Sequence, residues 1–162
     1  MKKELIATIR DCGYWALQML SISTPGSETL YDLRFKKKDD SKESLGVTLT
    51  KNELDQMVRS YVQWEDEGNR LEDASKKSVL KTKSHLHLRE RIAVLGKTDD
   101  EWSKEFNIVT FNGGAPKFNV SDWRNDTCRF GKSFTDFEMD TITEAYEATF
   151  GALPRKSEHW WE

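Results

Sequence analysis

The chain repeats itself, and that constrains its fold more than any other feature. At an offset of 87 residues Trp15 falls on Trp102, Gly26 on Gly113, Tyr31 on Phe118 and Leu33 on Val120, with no gap. If two residues are dropped from the first copy after its third strand, the offset becomes 85. Gly46 then falls on Gly131, Thr50 on Thr135, Glu53 on Glu138, Asp55 on Asp140 and Tyr61 on Tyr146. Self-similarity at a fixed period marks a duplicated supersecondary unit. Units of about 60–65 residues are marginal when folded alone and gain by burying surface against each other. The expected organisation is a first repeat over 1–64, a flexible polar linker over 65–86, a second repeat over 87–150 and a Trp-rich tail over 151–162.

Each copy ends in a helix that the sequence marks chemically. Thr50-Lys-Asn-Glu53 and Thr135-Asp-Phe-Glu138 are both capping boxes, in which the threonine hydroxyl takes an orphan amide and the glutamate reaches back to the cap's own N–H. Leu54, Met57, Val58 and Tyr61 follow the first box at helical spacing, and Met139, Ile142 and Tyr146 follow the second. Upstream, the pattern is strand-like. The candidates are Leu5–Arg10, Trp15–Ser23, Thr29–Lys36 and Ser44–Leu49 in copy one. In copy two they are Arg91–Lys97, Lys104–Phe111, Lys117–Trp123 and Thr127–Phe134. Asn112-Gly113-Gly114 is a hairpin signal, with Pro25-Gly26-Ser27 in the equivalent place. Within the linker, Leu71, Val79 and Leu80 are candidates to dock, and Leu80–Leu88 to extend the next strand. The expected class is α+β: two tandem ββββα units.

Alternation across strands separates two faces. Met19, Tyr31, Leu33, Val47 and Leu49 in copy one, and Phe106, Ile108, Phe118 and Val120 in copy two, are expected beneath the helices. The reverse face then carries Gln18, Thr24, Asp32, Arg34 and Lys36 in copy one, and Asn107, Val109, Phe111, Lys117, Asn119, Ser121 and Trp123 in copy two. Phe111 and Trp123 either pack against the other copy or serve as stacking platforms for unpaired bases. The net charge of −3 is not that of a typical nucleic-acid binder, but the charge is segregated. The second helix carries Asp136, Glu138, Asp140, Glu144 and Glu147, with no basic residue before Arg155. The strands from Lys104 to Lys132 hold five basic residues, Lys104, Lys117, Arg124, Arg129 and Lys132, against three acidic ones. In copy one the basic run is Arg34, Lys36, Lys37, Lys38 and Lys42.

Several function classes find no support in the sequence. No Gly-rich phosphate loop, nucleophile elbow or paired-carboxylate motif is readable, so an enzyme is not expected. His85-Leu-His87 lacks a third ligand at metal spacing, and neither a metal nor a cofactor is expected. Cys12 and Cys128 form no disulfide framework, which fits reduced thiols in a cytoplasmic protein. No window approaches the ~20 apolar residues of a membrane span. The 18 aromatic residues, counted from six Trp, four Tyr and eight Phe, argue against disorder.

The run Trp102-Ser-Lys104-Glu-Phe106-Asn107-Ile-Val-Thr-Phe111-Asn112-Gly113-Gly-Ala-Pro116-Lys117-Phe118-Asn119-Val120-Ser-Asp-Trp123 resembles the bacterial YdbC branch of the transcriptional positive cofactor 4 family. Gly131-Lys-Ser-Phe134-Thr-Asp-Phe-Glu138 is similar to that family's lead into its helix. The likeness covers about residues 88–150. Copy one is similar through Leu30-Tyr31-Asp32-Leu33-Arg34 and Gly46-Val47-Thr48-Leu49. The resemblance implies a Whirly-like fold, as in single-stranded-DNA-binding transcriptional regulators. Each unit would hold a curved four-stranded antiparallel sheet and one helix, paired through the helices as an internal pseudo-dimer. It implies binding of single-stranded DNA with little sequence preference, for replication, recombination or transcription in a bacterium or its phage. The residues it places on the nucleic acid are Lys104, Phe111, Lys117, Asn119, Trp123 and Arg129 in copy two, with Arg124 and Lys132 beside them. In copy one they are Trp15, Arg34, Lys36 and Lys42. Ser121 stands where the family has arginine, Thr24 where it has an aromatic, and Leu30 where copy two has Lys117, so the halves are expected to bind unequally. The other expectations are a single-stranded RNA ligand, or a protein-interaction module that keeps the fold without nucleic acid. The tail residues Trp160 and Trp161 are a candidate docking segment for a protein partner. The expected assembly is a monomeric pseudo-dimer or a higher homo-oligomer.

Overall fold

The computed structural model describes residues 1–37, 39, 46–98 and 100–156. Lys42, Ser44 and the Trp160-Trp161 pair therefore lie outside the described residues. The first unit runs β1 (Lys2–Asp11), β2 (Trp15–Ser23), β3 (Leu30–Lys37), β4 (Val47–Thr50) and α1 (Lys51–Asp66). The second runs β5 (Leu80–Lys81), β6 (Leu86–Lys97), β7 (Ser103–Phe111), β8 (Lys117–Arg124), β9 (Thr127–Phe134) and α2 (Asp136–Phe150). The strands form two antiparallel sheets, β1-β2-β3-β4 and β5-β6-β7-β8-β9, each a meander in chain order. The chain is thus α+β; the first unit has the expected ββββα order, and the second adds the two-residue β5 to it, so its sheet has five strands where four were expected. No helix among the described residues is long and apolar enough to cross a membrane.

Both helices start where the capping chemistry says. Thr50 Oγ1 accepts from the Glu53 amide at 3.1 Å, and Glu53 accepts from the Thr50 amide at 2.9 Å. Thr135 and Glu138 repeat this at 3.1 and 2.8 Å. The turns match as well. Asn112 and Gly113 both take positive φ, and the Gly114 amide donates to Phe111 O at 2.8 Å. In copy one Gly26 has φ 79°, as the third residue of a Pro-Gly turn should.

The first strand of each unit departs from simple alternation. Bulges in β1 skip Ile6 and Ile9, and bulges in β6 skip Arg89, Ile92 and Leu95. Each bulge adds a residue and bends the strand, so core-facing positions recur every three residues instead of every two. Ile6, Ile9, Ile92 and Leu95 all pack on the core. The segment expected as a flexible linker is structured. It completes α1, forms a 3₁₀ helix at Leu71–Lys76 that buries Ala74, and pairs β5 with β6 through Leu80 and Leu88.

One core serves both units. Met19, Tyr31, Leu33, Val47 and Leu49 from the first sheet share it with Phe106, Ile108, Phe118 and Val120 from the second. The helices cross over: α1 lies against β6 of the other unit, and α2 lies against β1. Tyr61 of α1 meets Phe118 edge-on at 5.2 Å, and Phe150 of α2 meets Tyr31 edge-on at 5.7 Å. Two hydrogen bonds close the seam reciprocally. Tyr61 Oη donates to Asp140 Oδ1, and Tyr146 Oη donates to Asp55 Oδ1, each at 2.5 Å. Tyr61 and Tyr146 stand 85 residues apart, as do Asp55 and Asp140, so the sequence offset reappears as a contact symmetry.

The two ends of this seam differ in charge. Lys51 pairs with Asp55 at 2.6 Å, while its counterpart beside Asp140 is Asp136. Burial opposes the Asp55 carboxylate, but hydrogen bonds from Lys51 and Tyr146 outweigh it and hold its pKa below the usual range. On the other side Tyr61 Oη also lies 3.0 Å from Glu65 Oε2, so one hydroxyl proton faces two carboxyl groups. Partial burial, with the Asp140 charge adding to it against the Tyr61 hydrogen bond, pushes the Glu65 pKa up. A folded pKa above the unfolded one means that the contribution of Glu65 to stability is present at low pH. It declines as pH rises through the folded value. Glu65→Gln is therefore expected to raise the urea midpoint at about pH 8 and to bring no gain at about pH 4. Tyr61→Phe and Tyr146→Phe are each expected to cost about 1.5–3 kcal/mol in the same assay, as hydrogen bonds to charged groups do. Neutral substitutions would show that the seam is held by packing alone.

Candidate nucleic-acid interface

The helices cover one face of each sheet, and the candidate residues belong to the other. On the second sheet that outer face is built from Ser103, Glu105, Asn107, Val109 and Phe111 of β7, with Lys117, Asn119, Ser121 and Trp123 of β8. This face carries a small second core of Leu86, Leu88, Val109 and Trp123, packed by Leu80 and Cys128. Trp123 is 2% exposed, so its expected place on an open face is corrected: the ring belongs to an apolar cluster with Leu86, Leu88 and Val109. Trp102 is also buried, under the guanidinium groups of Arg124 at 4.6 Å and Arg129 at 3.8 Å.

Phe111 stays open at 43% exposure, and Phe130 is more open still at 68%. Both line a groove of about 510 Å³. Its lining comes from Ser84, His85, Leu86, Phe111 and Asn112, from Asn119 and Ser121 of β8, and from Cys128, Arg129, Phe130, Gly131 and Ser133 of β9. Phe130 has φ 54°. A bulky residue at positive φ is a steric outlier, and here it sits in a bulge, where the pairing jumps from Asp122↔Arg129 to Val120↔Lys132. The bulge turns the ring outward beside Arg129, whose guanidinium lies 4.9 Å from it. The three buried side-chain polar atoms without a partner among the described residues are Ser103 Oγ, Asn107 Oδ1 and Trp123 Nε1. All three belong to this outer face. Buried polar groups are normally paired, so such a cluster marks a face with unused hydrogen-bonding capacity.

The structure gathers Phe111, Asn119 and Arg129 into the groove and puts the other candidates elsewhere. Lys117 is exposed at the start of β8 on the same outer face. Lys104 shares the inner face with Phe106 and Ile108 and reaches across to the first unit. It bonds Thr48 O at 3.0 Å and Glu53 Oε1 at 3.3 Å, so its expected role on nucleic acid is corrected to a clamp between units. Lys132 is likewise turned away, because the bulge shifts it to the inner face opposite Val120, over the Phe35 ring at 4.6 Å. Burial, followed by the charge of Arg34, lowers its pKa. In the first sheet Arg34 is bound to the fully buried Asp32, which also accepts from Thr48 Oγ1 at 3.0 Å. Trp15 and Lys36 are half-buried at the end of that sheet, and Tyr14 beside them is exposed under Lys37. No groups of His, Cys, Asp or Glu that could hold a metal occur among the described residues.

Sequence reasoning missed Phe130. Its one signal is the following Gly131, where an added Cβ would come within 2.6 Å of Ser121 Oγ. A residue that must stay bare in a strand points to a bulge or a close approach. Comparison with protein-family models, curated proteins and solved structures finds no match to this chain. Trp123→Ala is expected to lower stability by about 3–5 kcal/mol. Phe111→Ala is expected to stay within about 0.5 kcal/mol of the parent, as surface substitutions do. Equal melting of the two variants would put Trp123 outside the core.

Proposed function

We propose that the chain is a single-stranded nucleic-acid-binding protein, with DNA as the ligand, and that the second sheet carries the site. The observation behind this reading is a pair of exposed rings, Phe111 and Phe130, that line one groove together with Asn119 and Ser133. Successive unpaired bases stack on such rings without regard to sequence, and each contact contributes about 1–3 kcal/mol. A duplex hides its ring faces, so stacking selects single strands. The exposed Lys117 supplies charge for phosphates, with Arg129 held beside Asp122 at 3.8 Å, and the affinity such charge gives falls as salt rises. The acidic helices lie on the reverse of the sheets, which keeps the repulsive charge away from the groove.

In this reading the fold is the Whirly-like internal pseudo-dimer that the resemblance implies, and its halves have diverged. The first sheet contributes scaffold, because Asp32 and Arg34 neutralise each other where a phosphate contact would need a cation. Trp15, Lys36 and Lys37 are secondary contacts at the rim. Replication, recombination or transcription would supply the single strand.

The test is a fluorescence titration with oligo-dT and with duplex DNA at low and moderate salt. Binding is expected for the single strand, with a clear loss of affinity as salt rises. Phe130→Gly separates binding from folding, because glycine relieves a positive-φ strain of about 1–2 kcal/mol while removing the ring. The variant is expected to melt no lower than the parent and to bind oligo-dT about 5- to 100-fold more weakly. Unchanged affinity in both Phe130→Gly and Phe111→Ala would remove the rings from the interface, and equal affinity for duplex would remove stacking.

A further inference from the structure

The groove floor has a counterpart in the first unit, and the difference between them defines what the floor can hold. At the offset of 87, Asp32 corresponds to Asn119 and Arg34 to Ser121; at 85, Thr48 corresponds to Ser133 and Gly46 to Gly131. The contacts correspond too. Arg34 bonds Asp32 in one unit, and Ser121 Oγ donates to Asn119 Oδ1 in the other. A Cβ on Gly46 would stand 2.5 Å from Arg34 Cβ, and one on Gly131 would stand 2.6 Å from Ser121 Oγ.

The direction of the last hydrogen bond is reversed. In the first unit the Thr48 hydroxyl spends its proton on the Asp32 carboxylate, at 3.0 Å. In the second, the amide of Asn119 has protons of its own and donates through Nδ2 to Ser133 Oγ, also at 3.0 Å. The relay therefore runs from Ser121 through Asn119 to Ser133, and the Ser133 hydroxyl accepts and keeps its own proton to give. Replacing arginine by serine at 121 removes the side chain that fills this space in the first unit. Asn119 and Ser121 are buried at 2% and 1%, whereas Ser133 is half-buried and lines the groove with Phe111 and Phe130.

We infer that Asn119, Ser121 and Ser133, kept open by Gly131, form a seat for the edge of one unpaired base that presents a carbonyl oxygen. The occupant is a keto base of the thymine or uracil class, whose O4 takes the proton that Ser133 has left to give; the 4-amino group of cytosine would make Ser133 Oγ accept a second hydrogen bond beside that of Asn119 and leave its own proton unused. This rests on the proposed single-strand site and adds a local preference to otherwise sequence-tolerant stacking. Ser133 would be its specificity-determining residue.

The test compares oligo-dT with oligo-dC of equal length at mildly alkaline pH. Both are pyrimidine strands, so the comparison isolates the group at C4. The parent is expected to bind oligo-dT about fivefold more tightly, the worth of one neutral hydrogen bond. Ser133→Ala should bring the ratio to about one while leaving binding to oligo-dC unchanged. Ser133→Thr, the residue the first unit uses, should restore the preference. Equal affinities in the parent, or a ratio that Ser133→Ala does not move, would overturn the keto seat and leave the single-strand site standing. Failure to bind either oligomer would overturn both.

Discussion

The structure depends on the exchange of helices between its two halves. Neither sheet is covered by its own helix alone, since α1 reaches β6 and α2 reaches β1. Tyr61 and Tyr146 lock the exchange by hydrogen-bonding the aspartate of the opposite helix. Each small unit therefore borrows the apolar surface it lacks, and a single core draws on both sheets. Because both helices are committed to the inner faces, the outer faces are left to curvature and polar chemistry.

The two units share one pattern of strands and helix, but their outer faces differ. The first closes around a buried aspartate held by arginine and threonine. The second replaces that charged pair with an amide and two hydroxyls, hides Trp123 in a small core of its own, and brings out Phe130 through a bulge. The strain at Phe130 is local: its backbone is held at φ 54° in the bulge, and its exposed ring lines the same groove as Phe111. Strained backbone of this kind clusters at functional sites. The same bulge turns Lys132 inward, so one inserted residue both adds an aromatic to the groove and removes a cation from it.

Much of the scaffold is legible in the chain itself. The repeat offset, the capping boxes, the Asn-Gly and Pro-Gly turns and the alternation of β2, β3, β7 and β8 all depend on neighbours a few residues apart. Sequence expresses such local rules directly. The first strands were harder to bound, because paired bulges space Ile6 and Ile9, and Ile92 and Leu95, by three. The candidate site was legible only in part. Alternation told which face Trp123 belongs to but not that Leu86, Leu88 and Val109 share a buried cluster with it. The bulge at Phe130 and Gly131 slipped the register by one, and a slip of one exchanges the faces of every later residue in the strand. Lys104 was legible in its own strand, where it alternates with Phe106 and Ile108 on the inner side, even though the family likeness assigned it to nucleic acid.

The most direct measurement is photo-crosslinking of the full chain to an oligo-dT carrying a photoreactive thymine, followed by peptide mapping. Crosslinks are expected in Ser103–Phe111 and Thr127–Phe134, centred on Phe111 and Phe130. Crosslinks confined to Trp15–Ser23 and Leu30–Lys37, or to the helices, would contradict a binding face on the second sheet.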